Sequence, residues 1–145
     1  LYIQFKNRSY TNNHTSLELY SEISDSFSTD GGVNVLDDDI ILEFCEIKIP
    51  YLQDYTVVKA KNSKNLNEIG IFRVDDEQSE EMSIWVRKYV NELQETYRSM
   101  NYFPDEVEKI DNATVKIFGN YVVYSLLNDK DTKAFYKSIR KTIEE

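Results

Sequence analysis

Between residues 82 and 100 the apolar positions Met82, Trp85, Val86, Tyr89, Leu93, Tyr97 and Met100 recur at the i, i+3, i+4, i+7 spacing of one helix face. Glu, Arg, Lys, Asn and Gln fill the opposite face, so the pattern predicts a long amphipathic helix. Each apolar side chain on that stripe is worth roughly 1.5–3 kcal/mol once removed from water, which makes this helix the spine of the expected core. Leu17, Tyr20, Ile23 and Phe27 repeat behind Thr15 and Ser16, whose hydroxyls suit an N-cap. They predict a first short helix, ended by Ser28-Thr29-Asp30-Gly31-Gly32, where paired glycines readily take positive φ. A loop runs on to Leu36. Asp37-Asp38-Asp39 then precedes Ile40, Ile41, Phe44 and Ile47, an acidic start to a second short helix that stops before Pro50. Phe135, Ile139 and Ile143 mark the buried stripe of a last helix, with Asn128 or Asp129 as its cap.

The remaining patterned segments alternate or are rich in β-formers. Residues 55–60 and 69–74 read as adjacent antiparallel strands joined by a polar Lys/Asn loop. Residues 113–129 carry two β-rich runs around Gly119-Asn120, and glycine in the first central position suits a type II′ hairpin turn. A two-residue turn sets Ile117 opposite Val122 and Val115 opposite Tyr124, so these four and Leu126 form one apolar face. Pro104 and the Val107/Ile110 pair predict a loop with one helical turn between the long helix and the hairpin. The element order is ααββαββα. That order implies an α+β fold, an antiparallel sheet of about four strands with helices packed on one face. Residues 1–15 are too polar to join the core and read as a tether, leaving residues 16–145 as a single domain.

At 145 residues the chain is long enough to bury roughly two-thirds of its unfolded surface. Lys and Arg number 17 against 26 Asp and Glu, a formal charge of −9 that opposes contact with polyanions. Nucleic acid and anionic lipid are therefore not expected partners. Cys45 is the single cysteine, which excludes an intrachain disulfide and a cysteine-based zinc site. Phe44 and Ile47 beside it suggest a small buried hydrophobe. No apolar run approaches the ~18 residues needed to span a bilayer.

Candidate chemistry is sparse. His14 is the only histidine and lies in the polar run Asn12-Asn13-His14-Thr15, a poor platform for a Ser-His-Asp or Cys-His pair. Asp75-Asp76-Glu77 with Glu80 and Glu81 is the densest carboxylate group and has the chemistry for a hard cation, yet acidic residues also belong at the positive end of a helix dipole. The dipole explains them better. Carboxylate pairs hydrolyse glycosides when held about 5–10 Å apart in a cleft, but so acidic a chain makes any one pair unspecific. Eleven tyrosines and Trp85 offer aromatic surface for a sugar or a partner, with Tyr2, Tyr10, Tyr51 and Tyr102 the candidates off the core stripes. Asn7-Arg8-Ser9, Asn13-His14-Thr15 and Asn112-Ala113-Thr114 match the glycosylation triplet, as an Asn-rich chain does by chance. No catalytic, cofactor-binding or metal-ligating residue is assigned.

Glu68-Ile69-Gly70-Ile71-Phe72, the long helix after it, Tyr102-Phe103-Pro104-Asp105-Glu106 and the run from Ala113 through Val122 together resemble a bacterial family, the domain of unknown function numbered 4358. The sharpest elements are Gly119-Asn120-Tyr121-Val122 and the Asn128-Asp129 start of the last helix. Phe44-Cys45 departs from the tyrosine and glycine common there. The resemblance implies a small secreted Firmicute protein with a lipoprotein signal ahead of the domain, and it transfers no catalytic residues. On that implication the polar segment 1–15 is a spacer behind a lipid anchor, and a signal or anchor before Leu1 is expected. The expected role is an extracytoplasmic, membrane-anchored, non-enzymatic binding or scaffold module without cofactor, whose partner is an envelope protein or glycan. The alternative is a cell-envelope glycan hydrolase using a carboxylate pair.

Overall fold

The computed structural model of the chain describes residues 9–26, 33–35 and 49–144. The expected helix over residues 40–47, the break at residues 28–32, Tyr2, Asn7 and Cys45 lie outside the described residues. The described elements run α1 (Ser16–Ile23), a 3₁₀ turn (Ser24–Ser26), β1 (Val33–Val35), β2 (Leu52–Ala60), β3 (Glu68–Val74), α2 (Ser79–Arg98), α3 (Pro104–Asp111), β4 (Thr114–Phe118), β5 (Tyr121–Leu126) and α4 (Asp129–Ile143). The fold is α+β, as the patterns imply.

The described strands are antiparallel, in the order β1-β2-β3-β5-β4. β1 is a short edge strand in the segment read as a loop, with Val33 and Val35 opposite Ala60 and Val58. The hairpin has the register set by its turn: Ile117 stands opposite Val122 and Val115 opposite Tyr124. Gly119 has φ +57° and Asn120 does not share the positive φ, the combination of a II′ rather than a I′ turn.

Helices cover both faces of the sheet, where the sequence pattern places them on one. The cause lies in β3 and β5, whose alternate residues are apolar on both sides and so need cover twice. Phe72, Val74, Val122, Tyr124 and Leu126 pack with Met82, Val86, Tyr89 and Val90 of α2 and Ile110 of α3. Ile69, Ile71, Tyr121 and Val123 pack with Leu19 and Ile23 of α1 and Phe135, Ile139 and Ile143 of α4. The α2 stripe is buried as far as Tyr97, while Met100 is half exposed. α3 is a two-turn helix rather than a single turn. Pro104 opens it, with Asp105 and Glu106 at the positive end of its dipole.

Thr15 caps α1 by accepting from the Glu18 amide at 3.1 Å, and Asn128 caps α4 by accepting from the Asp131 amide at 2.8 Å. The near end of the expected tether is docked on the domain. Thr11 donates its amide to the Ile143 carbonyl at 2.7 Å, Tyr10 bridges to Glu144, and the Tyr10 ring stands edge-on to Phe118. Polar residues here meet the fold through hydrogen bonds, which leave no trace in hydropathy.

Candidate functional site

Three polar constellations stand out against the two cores. The first is inside one of them. Glu68 opens β3 on the face covered by α2, and its Oε2 accepts from Tyr124 Oη at 2.5 Å and from Tyr89 Oη at 3.0 Å. The three residues are 2%, 0% and 8% exposed. Burial pushes the Glu68 carboxyl above the usual carboxylate range, against the two tyrosine hydrogen bonds and the nearby charge of Lys59. Burial, then the charge of Glu68, pushes the Tyr124 hydroxyl well above its ordinary value, and the same two causes raise Tyr89. Lys59 donates to Tyr97 Oη at 3.2 Å at the border of this group. A carboxyl buried and bonded in this way is reached by a substrate only if the core opens. The group is therefore a packing device.

The second constellation lies on the opposite face. Arg73 Nε donates to Asn12 Oδ1 and Nη2 to the Asn12 carbonyl, both at 2.7 Å, while Nη1 pairs with Asp54 Oδ2 at 3.2 Å. Asp54 Oδ1 also accepts the first amide of α1, from Ser16, at 2.6 Å. His14 joins the same seam through its backbone: its carbonyl accepts from Tyr121 Oη at 2.6 Å, and its Nε2 lies 4.0 Å from Glu22. Among the described residues neither a serine nor a cysteine is bonded to the His14 ring, and the bonds of the seam fasten residues 12–16 to β2, β3 and β5.

The third is the rim of the sheet at β4. A groove of about 330 Å³ runs between α2 and this strand, lined by Arg87, Asn91 and Gln94 on the helix, by Thr114 and Val115 on the strand and by Ala113 just ahead of it. A second groove touches the same end of β4 from the other side and carries Asp111 and Asp129. Both aspartates are more than half exposed and each has a basic partner, Arg98 at 3.3 Å and Lys133 at 3.0 Å. Its other described liners are Asn112, Ala113, Thr114 and Thr132, so the aromatic lining expected of a glycan cleft is absent from it.

The residues singled out from sequence fall to structural roles or stay apart. Asp75 accepts from Gln53 Nε2 at 2.9 Å, tying the β3–α2 turn to β2, and Asp76 from Asn120 Nδ2 at 2.8 Å, tying it to the hairpin; Glu80 and Glu81 occupy the first turn of α2. Among the described residues no group of three His, Cys, Asp or Glu is placed to hold a metal ion. Tyr51 leans on the α2-side core, Tyr102 stands edge-on to Tyr97, and Tyr10 covers Phe118, so these tyrosines form no common patch. Asn13 and Asn112 are exposed, and Asn112 also ends α3.

Glu68 and Arg87 were not candidates from the sequence. Glu68 had a usable signal: it is the one charge on the Glu68, Gly70, Phe72, Val74 face of a strand, a position that burial makes costly unless partners wait there. Arg87 had none, because it looks like any polar residue of an amphipathic helix.

A family model described as "Domain of unknown function (DUF4358)" matches residues 28–127, a span that includes Glu68, α2, the groove at β4 and the hairpin. No curated protein and no solved structure matches the chain.

Proposed function

This chain belongs to the DUF4358 family, and from that premise we propose that it is a non-enzymatic binding module of a bacterial cell envelope, held outside the cytoplasm by an anchor ahead of residue 1. The observation that carries the reading is where the one shifted carboxyl among the described residues lies. Glu68, Tyr89 and Tyr124 are sealed in the core and bonded to one another, whereas catalysis needs shifted groups that a substrate can touch. The carboxylates beside the second groove, Asp111 and Asp129, are open to water and each already has a basic partner. What remains for contact is surface, and among the described residues the rim at β4 carries two grooves.

The composition of the polar segment that precedes α1 supports display from a surface, since so polar a run suits a spacer behind an anchor, and its described residues near α1 are fastened to the domain. Fractionation of cells expressing the full-length gene tests the placement. Recovery with the membrane, released by protease added outside the cell, is the expected result; recovery in the cytosol overturns it. Crosslinking of the anchored protein in intact cells tests the role, with an envelope protein or glycan as the expected product. Hydrolysis of purified envelope glycan that is lost on replacing Asp111 or Asp129 by Asn overturns the non-enzymatic reading.

A further inference from the structure

We infer that the outer edge of β4 accepts an extended peptide carrying two successive acidic side chains, which joins the sheet as a sixth strand. The inference rests on the binding-module reading and names the surface and the chemistry of its partner. Among the described residues β4 is the last strand in the sheet and pairs only with β5. Phe118 and Tyr121 flank a two-residue turn, so they exchange both backbone hydrogen bonds. Alternation then directs the backbone groups of Lys116 and Thr114 toward β5 and leaves the N–H and C=O of Val115 and Ile117 pointing outward. These are two donors and two acceptors at the spacing an incoming strand requires.

The side chains around that edge select the guest. A residue opposite Val115 places its side chain on the α2 face, in the groove beside Arg87 and Asn91. The Arg87 side chain makes no hydrogen bond or ion pair among the described residues, so its charge is available to a carboxylate. The next residue, opposite Lys116, faces the other side, where Lys116 Nζ rests 5.4 Å from the Phe118 ring centre and 5.3 Å from that of Tyr136. In a chain of charge −9 the charged side chains at these two positions are both positive. Asp111 and Asp129, beside Thr114, disfavour an acid one position further along. A lysine on a strand edge discourages pairing with neutral copies, and here the same lysine favours an acidic strand. The pattern is thus acid opposite Val115, acid opposite Lys116, and neutral opposite Thr114.

The test uses the end-blocked decapeptide Thr-Thr-Val-Thr-Glu-Asp-Val-Thr-Val-Thr added at millimolar concentration to the ¹⁵N-labelled full chain. Shift changes centred on residues 113–118, with slowed exchange of the Val115 and Ile117 amides, are expected. Arg87→Gln should weaken binding about twofold to fivefold, the range of one exposed ion pair. The peptide with Lys-Lys in place of Glu-Asp should not bind. Val115→Pro removes one outward donor without touching a β4–β5 bond, and should abolish the shifts. The same peptide N-methylated on the face that pairs should fail with the unaltered protein, whatever the proline does to folding. No shifts at β4, equal binding of the lysine peptide, equal binding of the methylated peptide, or protection of Val115 and Ile117 already present in a self-associated dimer would each overturn the inference. A full-length protein that crosslinks to an envelope partner away from β4 keeps the binding-module reading and overturns only this one.

Discussion

Gly70 and Tyr124 are cross-strand partners in β3 and β5, and the Tyr124 ring fills the space a side chain on Gly70 would need. A Cβ at residue 70 would lie 2.0 Å from Tyr124 Cε1. The ring is fully buried, bonded to Glu68 and in edge contact with Tyr89 at 5.5 Å, so it has nowhere to move. This is the physical content of the Glu68-Ile69-Gly70 run: the acid bonds the tyrosine and the glycine makes room for it.

Gly70→Ala is expected to destabilise the domain by about 1–3 kcal/mol, the cost of overpacking a site that cannot yield. Urea unfolding measures it. In a Tyr124→Val background the same substitution should cost little, and a cycle in which the two changes simply add would remove the steric explanation.

Glu68 gives the stability a pH dependence of defined sign. Its folded pKa is raised from the ordinary 4.5, so between that value and the folded pKa the unfolded chain has released a proton that the folded one keeps. Stability from this group is complete below pH 4.5 and declines as pH rises through the window, by at most about 1.4 kcal/mol per pH unit. Glu68→Gln retains an acceptor for Tyr89 and Tyr124 without the charge. Relative to the unaltered protein it should therefore gain stability as pH is raised from 4 to 8. A difference between the two that does not change with pH would contradict the burial of this carboxyl.

A buried ion pair fixes α3 to the β2–β3 loop. Lys109 Nζ bonds Glu106 Oε1 and Asn65 Oδ1, each at 2.9 Å, and Glu106 Oε2 accepts the Leu66 amide at 2.7 Å. The side chains are only 10% and 14% exposed. Lys109→Met leaves Glu106 charged and short of a partner, and should cost about 3 kcal/mol. Adding Glu106→Gln should recover part of that loss, read as a rise in the midpoint of thermal unfolding.

How much of this was legible follows from which interactions leave a periodic trace. The α2 stripe, the caps of α1 and α4 and the register of the hairpin depend on neighbours in sequence, so Thr15, Asn128, Gly119 and the apolar spacing announce them. The second covered face was visible in principle, since Tyr121, Val123 and Ser125 alternate with Val122, Tyr124 and Leu126 and every one is buried. A run of that kind reads as a half-buried strand when only one of its faces is given partners. The insertion of β5 beside β3 and the partners of Glu68 depend on contacts between residues 56 positions apart, such as Tyr124 with Glu68, and no local pattern carries those. The groove at β4 was illegible for the same reason: Arg87 and Val115 become neighbours only when α2 lies along the sheet rim.

The seam around Arg73 yields a prediction about order instead of global stability. Arg73 makes three hydrogen bonds, two to Asn12 and one to Asp54, and Asp54 in turn holds the first amide of α1. Bonds of this charged type are worth about 1.5–3 kcal/mol each when sheltered, and less where water competes. Arg73 sits on the face opposite the Glu68 group, so its loss leaves the α2-side core unchanged. Arg73→Gln should release residues 10–15 first. Hydrogen exchange of the Thr11 and Ser16 amides, bonded to Ile143 and Asp54, should accelerate at least tenfold, corresponding to about 1.4 kcal/mol of local opening. The Val122 amide in the centre of the sheet should keep its rate. If Thr11, Ser16 and Val122 all accelerate together, the segment is part of the cooperative core and not a latched extension of it; if none does, the bonds to Asn12 contribute nothing to holding it.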